Sequence, residues 1–135
     1  NKEQITEMVH YIHTNHPNVH IMARAIDRNH VYELYSAGCR DIIRETYDSS
    51  LRMARSAFEA LGITSDKASD MVKVFDESDR AGMVEVADTY DVNIHPFENE
   101  AFMAKVREVA PRREAEVREE MEHILKRNSQ GEEQL

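Results

Sequence analysis

The chain has 135 residues, and 41% of them are hydrophobic, so it is long enough to bury the core of one ordinary domain. Its 17 basic and 26 acidic residues give a net charge of −9, which argues against nucleic acids and anionic membrane surfaces as partners. No apolar run approaches the roughly 20 residues that a membrane-spanning helix needs, and we expect no signal peptide in the polar first segment.

The first predicted element is a helix near the start of the chain. One apolar helical face, with the spacing i, i+3, i+4 and i+7, is formed by Ile5, Met8, Val9 and Ile12. The helix is expected to end before Pro17, because the residue that precedes a proline avoids helical backbone angles.

The middle of the chain predicts a strand, a helix, a strand and a helix with short connections. An apolar run at residues 19–25 predicts the first strand, and Asp27 is placed to accept hydrogen bonds from the first turn of the next helix. That helix is expected to close at Gly38. Residues 41–44 predict the second strand, which leads into a helix that closes at Gly62. Such alternation predicts an α/β fold with a few parallel strands.

The rest of the chain predicts long helices. Apolar residues at helical spacing between 68 and 90 predict either one helix with a weak point near Gly82 or two shorter helices. Residues 91–96 are expected to form a break or a short extended piece. A final helical region is predicted from about residue 98 to 128, and Pro111 is expected to start its second half.

These elements suggest an incomplete domain with two parts and a tail. Residues 1–62 are predicted to form part of a sheet lobe, residues 63–128 a helical dimerisation segment, and residues 129–135 a disordered tail. Two adjacent strands make a poor sheet by themselves, so we expect the chain to be part of a larger domain or to associate with itself. The apolar stripe at residues 68–90 could be buried within one subunit or against a second copy, and the second copy is favoured because so small a lobe offers little surface to cover it.

Two motifs carry a resemblance to a known family. They are ARAIDRNH at residues 23–30 and RDIIRETYDSS at residues 40–50. Together with the helix end at Ala37-Gly38 and the segment FEALG at residues 58–62, they resemble the RCK or TrkA-N domain, which regulates potassium channels and transporters. Within that family the chain is most similar to the Kef-type potassium efflux antiporters.

The resemblance implies a Rossmann-like domain that forms homodimers on the cytoplasmic side of the inner membrane. Such a domain regulates the membrane antiporter domain of the same protein when it binds a ligand. In the Kef group that ligand is glutathione or a glutathione conjugate, and a nucleotide also binds. Arg44 matches the arginine of the RET motif, which contacts the anionic ligand. Asp79 stands where the family has an asparagine that also contacts the ligand, so a negative charge would face glutathione.

The resemblance also implies that the complete domain binds NAD(H) or AMP through a G-x-G-x-x-G turn. The chain has four glycines, and no two are close enough to form that turn: Gly38, Gly62, Gly82 and Gly131. We therefore expect no cofactor site within this chain, which would correspond to the C-terminal half of such a domain.

Arg44 is the first candidate for ligand binding on physical grounds. An arginine at the carboxyl end of a parallel strand can offer paired hydrogen bonds to a carboxylate or a phosphate. The alternative is an internal salt bridge, with Glu45 or Asp48 as the partner. Arg24 and His30 flank the turn after the first strand and complete the candidate ligand set with Arg44 and Asp79.

The histidines and the cysteine predict neither a metal site nor a nucleophile. Of the histidines near the start, His10 and His13 share a helix face, but no cysteine or carboxylate completes a ligand set with them. The single cysteine, Cys39, excludes an internal disulfide and fits a reducing compartment. No histidine lies near it in the sequence, so a semi-buried thiol is the favoured interpretation.

The main functional hypothesis is a non-enzymatic, ligand-sensing regulatory domain of a Kef-type potassium or cation/proton antiporter. Two alternatives stay open at this point. The first is a fragment of a Rossmann-fold NAD(P)-dependent oxidoreductase, although no acid–base pair or activated nucleophile is evident in the sequence. The second is a helical dimerisation module that binds no ligand.

Overall fold

The structure of the chain, a computed structural model, describes residues 1–127. In chain order its elements are α1 (Lys2–Asn15), β1 (Met22–Ala25), α2 (Arg28–Ser36), β2 (Asp41–Arg44), α3 (Tyr47–Ala60), α4 (Ser65–Ala87), a short 3₁₀ helix (Pro96–Glu98) and α5 (Glu100–Lys126). The predicted α/β fold class is confirmed. The predicted tail at residues 129–135 lies outside the described residues.

The two strands form a small parallel sheet whose carboxyl ends meet. In the strand register Met22 lies opposite Asp41, and Ala25 lies opposite Arg44. The bounds predicted for β2 are confirmed, whereas β1 begins three residues later than predicted. Val19 is 55% exposed, because the turn after Pro17 carries it away from the core before the strand begins.

A first hydrophobic core joins α1, α2 and both strands. Its buried members are Val9, Ala23, Ala25, Leu34, Ala37 and Cys39. The predicted apolar face of α1 is correct at Val9, but Met8 is 64% exposed because the buried face is narrower than the spacing indicated. The thiol of Cys39 is fully buried and lies 3.4 Å from the carbonyl oxygen of Asp41. Burial raises the pKa of Cys39, which agrees with a structural thiol.

A second hydrophobic core lies between α2, α4 and α5. Its centre is an aromatic cluster in which the ring of Tyr32 lies 5.3 Å from that of Tyr90 and 5.4 Å from that of Phe102. Met83 and Val86 of α4 are buried against this cluster. The expectation that a second copy covers the stripe on α4 is therefore wrong for these positions, because α5 folds back along α4 and covers them within the same chain.

Neither Gly82 nor Pro111 interrupts its helix, so the first of the two alternatives predicted for residues 68–90, one long helix, is correct. α4 is continuous through Gly82, where an added Cβ would lie 3.1 Å from Cδ of Arg113. The missing side chain thus lets α5 approach α4 closely. α5 is also continuous, with Pro111 inside it on an exposed face, so the predicted helical region is confirmed but Pro111 does not start a second half of it. Contacts of Val109 with α4 hold the helix in place next to the proline.

Polar caps position the turn at the carboxyl end of β1. Asp27 precedes α2, and its carboxylate accepts a hydrogen bond of 2.7 Å from the backbone N–H of His30. This confirms the predicted N-cap. α2 and α3 are each followed by a glycine with positive φ, Gly38 at 110° and Gly62 at 94°, as the sequence predicts.

Candidate functional site

Arg44 and Asp79 meet at the carboxyl end of β2. Arg44 is the last residue of the strand, and its guanidinium donates a hydrogen bond to the carboxylate of Asp79 in the middle of α4. The two side chains are 16% and 13% exposed, so the pair is largely removed from water. The guanidinium also stacks on the ring of Tyr47, with its central carbon 3.7 Å from the ring centroid. The predicted alternative of an internal salt bridge is therefore correct in kind, but neither Glu45 nor Asp48 is the partner.

A second arginine binds the other oxygen of Asp79. Nη1 of Arg28 lies 3.1 Å from Oδ1 of Asp79 and places the start of α2 in the same cluster. Arg28 was not among the predicted site residues. The only local signal is its position directly after the cap Asp27, at the end of a parallel strand, where ligands of such sheets gather. The carboxylate of Asp79, in the middle of α4, thus joins this helix to the start of α2 and to the end of β2.

Tyr47 extends this cluster toward a third arginine. The guanidinium of Arg80 lies 5.7 Å from the centroid of the Tyr47 ring and donates a hydrogen bond of 2.8 Å to Asp76. Burial, together with the carboxylates of Asp76 and Asp79, raises the pKa of the Tyr47 hydroxyl well above its usual value. The hydroxyl is therefore neutral at physiological pH, and the ring is the surface on which the two guanidiniums pack.

A small cavity lies on one side of the Arg44–Asp79 pair. We call it the arginine recess; it has a volume of about 210 Å³ and is lined by Arg40, Arg44 and Arg80 among apolar and tyrosine side chains. Arg40 follows α2, and its guanidinium is fixed 3.7 Å above the ring of Tyr35. Its Nη1 donates a hydrogen bond of 2.7 Å to the carbonyl oxygen of Tyr35.

A larger cavity lies on the other side of the same pair. We call it the apolar groove; it has a volume of about 700 Å³ and runs between α4, α5 and the start of α2. Arg28 and Asp79 are among its polar lining residues, and its apolar lining includes Tyr32, Phe75, Phe97, Phe102, Met103 and Val106. The Arg44–Asp79 pair therefore separates a cationic recess from an apolar groove.

Arg24 lies away from the cluster. It is an exposed residue of β1 that stands opposite Ile43 in the strand register. It lines neither the arginine recess nor the apolar groove, and within residues 1–127 no ion pair or side-chain hydrogen bond involves it. The structure does not bring Arg24 together with Arg44.

His30 is enclosed in the fold and is no part of the cluster. It is 0% exposed; Nδ1 accepts a hydrogen bond of 3.1 Å from the backbone N–H of Ile26, and Nε2 lies 3.2 Å from the hydroxyl of Thr6. Because Nδ1 accepts a hydrogen bond, the neutral ring carries its proton on Nε2 and donates it to Thr6. Burial lowers the pKa of His30. Both ring nitrogens are thus used to join α1 to the turn after β1.

Within residues 1–127, no group of three or more histidine, cysteine, aspartate or glutamate side chains is arranged to hold a metal ion. His20 instead pairs with Asp41 at 2.9 Å, and the ring of His13 packs against Gly38. None of the helices in this part of the chain combines the length and the apolar character needed to cross a membrane.

Comparison with known proteins identifies similar sequences. A family model described as the potassium efflux system KefB C-terminal domain matches residues 49–134. A glutathione-regulated potassium-efflux system protein KefC from Cronobacter sakazakii is 42% identical over 72 residues, which is 53% of this chain. The K(+) efflux antiporter 3, chloroplastic, of Arabidopsis thaliana is 36% identical over 77 residues, or 57% of the chain. The matched segments are only 11% and 10% of the length of these two relatives.

Proposed function

This chain belongs to the family of potassium efflux system KefB C-terminal domains, and on that premise we propose that it is the ligand-sensing regulatory domain of a potassium efflux antiporter. The proposed role is non-enzymatic, and the transport step would be carried out by a membrane domain of the same protein. Relatives named as potassium efflux proteins support this assignment, since their matched segments are a small part of much longer chains. We place the domain on the cytoplasmic side of the inner membrane.

The observation that carries the proposal is the ion pair between Arg44 and Asp79. It joins the carboxyl end of the sheet to the long helix α4, so it connects the strand end that lines the arginine recess to the helix that packs on α5. An anionic ligand that takes the guanidinium of Arg44 would displace Asp79 and loosen α4 from β2. Because the ligand would bind the loosened arrangement better, its binding would shift the population toward it.

The proposed ligand is a glutathione-type peptide or a nucleotide, and its full site would be shared between two copies of the chain. The arginine recess, at about 210 Å³, is smaller than the 300–1,000 Å³ typical of drug-sized ligand sites, so a tripeptide would extend beyond it. Exposed aromatic side chains beside the apolar groove support a homodimer, since Phe97 is 79% and Phe75 is 43% exposed. In this proposal residues 1–62 form the ligand-binding lobe and residues 63–128 the dimerisation segment.

The proposal is tested with the full-length protein in potassium-loaded vesicles. Potassium efflux is recorded before and after addition of glutathione or a glutathione conjugate on the side of this domain. The response is expressed relative to the rate of the same variant without ligand. We expect the wild type to respond, Arg44→Gln to lose most of the response, and Arg118→Gln to keep it, because Arg118 lies on the exposed face of α5 and pairs only with Glu114 in the described structure.

Two results would contradict this assignment. One is a wild-type efflux rate that no anionic peptide or nucleotide changes. The other is a response of the same size in Arg44→Gln and in the wild type, which would remove the strand end from the sensing mechanism. Sedimentation of the protein at several concentrations tests the homodimer separately.

A further inference from the structure

The arginine recess has the composition of a site for a small anion. Arg40, Arg44 and Arg80 come from three different segments, the α2–β2 connection, the end of β2 and the middle of α4, and no aspartate or glutamate among residues 1–127 lines the recess. We infer that the recess binds a compact oxyanion, a phosphate or a carboxylate, that is carried on a small apolar group. This inference deepens the proposed function, on which it rests through Arg44, by naming the chemical class that the site accepts.

The cationic side chains are held in place before any ligand arrives. Arg40 is fixed by the ring and the carbonyl oxygen of Tyr35, and no carboxylate pairs with it in the part of the chain that the structure describes. Arg80 is held by Asp76 through Nε, its Nη2 lies 3.9 Å from the carboxylate of Asp48, and its side chain is 51% exposed. A guanidinium has five N–H donors, so these partners still leave donors for an anion. Binding would therefore need little reorganisation of the two arginines.

The remaining lining selects a small apolar body. It consists of Val31, Tyr32, Tyr35, Ile42, Met83, Val84 and Ala87. Such side chains favour an aliphatic or aromatic group of the ligand over a sugar or a second charge. The volume of about 210 Å³ excludes a whole dinucleotide and leaves room for an anionic group with a ring or a short chain. The recess is thus suited to a phosphate monoester or a carboxylate of this size, or to the corresponding end group of a larger ligand.

The test is isothermal titration calorimetry of the 135-residue chain at constant ionic strength. Phenyl phosphate and benzoate distinguish the two oxyanions, and benzyl alcohol reports apolar binding alone. We expect saturable binding of at least one anion and none of benzyl alcohol. Arg40→Gln and Arg80→Gln should each lower the affinity for the anion by about tenfold or more, as expected for the loss of a charge-assisted hydrogen bond. Arg118→Gln is the matched control and should bind as the wild type does.

Arg40 and Arg80 are exposed enough for their variants to keep the fold, which far-UV circular dichroism verifies. The inference is overturned if neither anion shows saturable binding, if benzyl alcohol binds equally well, or if both variants bind the anion with wild-type affinity. The vesicle experiment separates this inference from the proposed function. Anion binding that depends on Arg40 and Arg80, without any effect of ligands on efflux, supports the recess and rejects the regulatory role. If efflux responds to ligand through Arg44 while Arg40→Gln and Arg80→Gln bind the anion as the wild type does, the regulatory role is supported and the recess is rejected.

Discussion

The guanidinium of Arg44 binds the carboxylate of Asp79, although the two residues are 35 positions apart in the chain. Their ion pair joins the end of β2 to α4 and separates the arginine recess from the apolar groove. Asp79 also accepts a hydrogen bond from Arg28, so one carboxylate pairs with two guanidiniums at the only strand ends in the described residues. An external anion would have to compete with this internal one.

Asp79→Asn is expected to destabilise the fold by about 2 kcal/mol, chiefly because the guanidinium of Arg44 loses a charge-assisted partner in a place with little water, whereas Arg28 is 53% exposed and contributes less. The unfolding free energy is measured by urea denaturation. Asp70→Asn is the matched control: Asp70 pairs with Arg127, both side chains are about half exposed at 46% and 48%, and the expected loss is below about 1 kcal/mol. Equal losses for the two variants would show that the Asp79 cluster has no special structural role.

Asp79→Asn is also expected to raise the affinity of Arg44 for anionic ligands. Asparagine cannot neutralise the guanidinium, so the ligand no longer competes with a bound carboxylate. Calorimetric titration of glutathione into the wild type and into Asp79→Asn measures the change. Tighter binding by the wild type would indicate that Asp79 contacts the ligand and does not compete with it.

His30 should make stability dependent on pH. Because burial holds its pKa below the ordinary value of 6.5, the folded state takes up its proton less readily than the unfolded state. The stabilisation is therefore fully present above about pH 6.5 and decreases as the pH falls below that value. His30→Gln should lose about 1–3 kcal/mol near neutral pH, through the contacts with Ile26 and Thr6, but its stability should fall less between about pH 7 and pH 5.

The measurement for His30 is a series of urea denaturation curves across this pH range. His10→Gln is the control, since His10 lies on the exposed face of α1, and its curves should follow the wild type. If His30→Gln loses stability with falling pH as steeply as the wild type does, protonation of the buried ring is not the cause of the slope.

Glu85 should also make the stability of the fold depend on pH, in a lower pH range than His30. Its carboxylate accepts hydrogen bonds from Arg113 and Arg112 of α5, and these lower its pKa below the ordinary value of 4.5. A carboxyl group with a lowered pKa stabilises the fold above its unfolded pKa and loses this effect as the pH falls. Glu85→Gln should therefore be less stable than the wild type near pH 7, and the difference should shrink below pH 4.5.

Denaturant midpoints at several pH values measure this difference. Glu114→Gln is the control, because the pair of Glu114 and Arg118 is 72% and 68% exposed and is expected to add little at any pH. A difference between the wild type and Glu85→Gln that stays constant down to the lowest pH would show that Glu85 acts through packing and not through its charge.

Much of the fold could be predicted from local signals. The cap at Asp27, the glycines that end α2 and α3, and the bounds of β2 depend on residues within one turn of each other. The course of α5 could not be predicted in this way. Whether an apolar stripe on α4 meets a second copy or a later helix is decided by where the chain returns, and nothing local to Met83 or Val86 contains that information.

The candidate site was predicted one residue at a time. Arg44 and Asp79 were each identified through a family resemblance, but their pairing depends on how α4 packs against α2 and α3. Arg28 was missed for the same reason, since its partner lies 51 positions away. His30 was grouped with the site by its nearness to the turn, whereas its side chain turns inward to Thr6. Nearness in sequence therefore identified residues at the carboxyl end of the sheet, but not which of their side chains meet there.

Gly38 and Gly62 offer the sharpest test of the backbone. Both have positive φ, 110° and 94°, but a Cβ on Gly38 would overlap the ring of His13, whereas nothing lies within 4 Å of a Cβ on Gly62. Gly62→Ala should cost about 1–2 kcal/mol for the left-handed conformation alone, and Gly38→Ala should cost more because the His13 ring must also move. Urea denaturation compares the two, and Gly38→Ala combined with His13→Ala should recover the additional loss. If the double variant recovers nothing, the contact between α1 and the end of α2 is not what constrains Gly38.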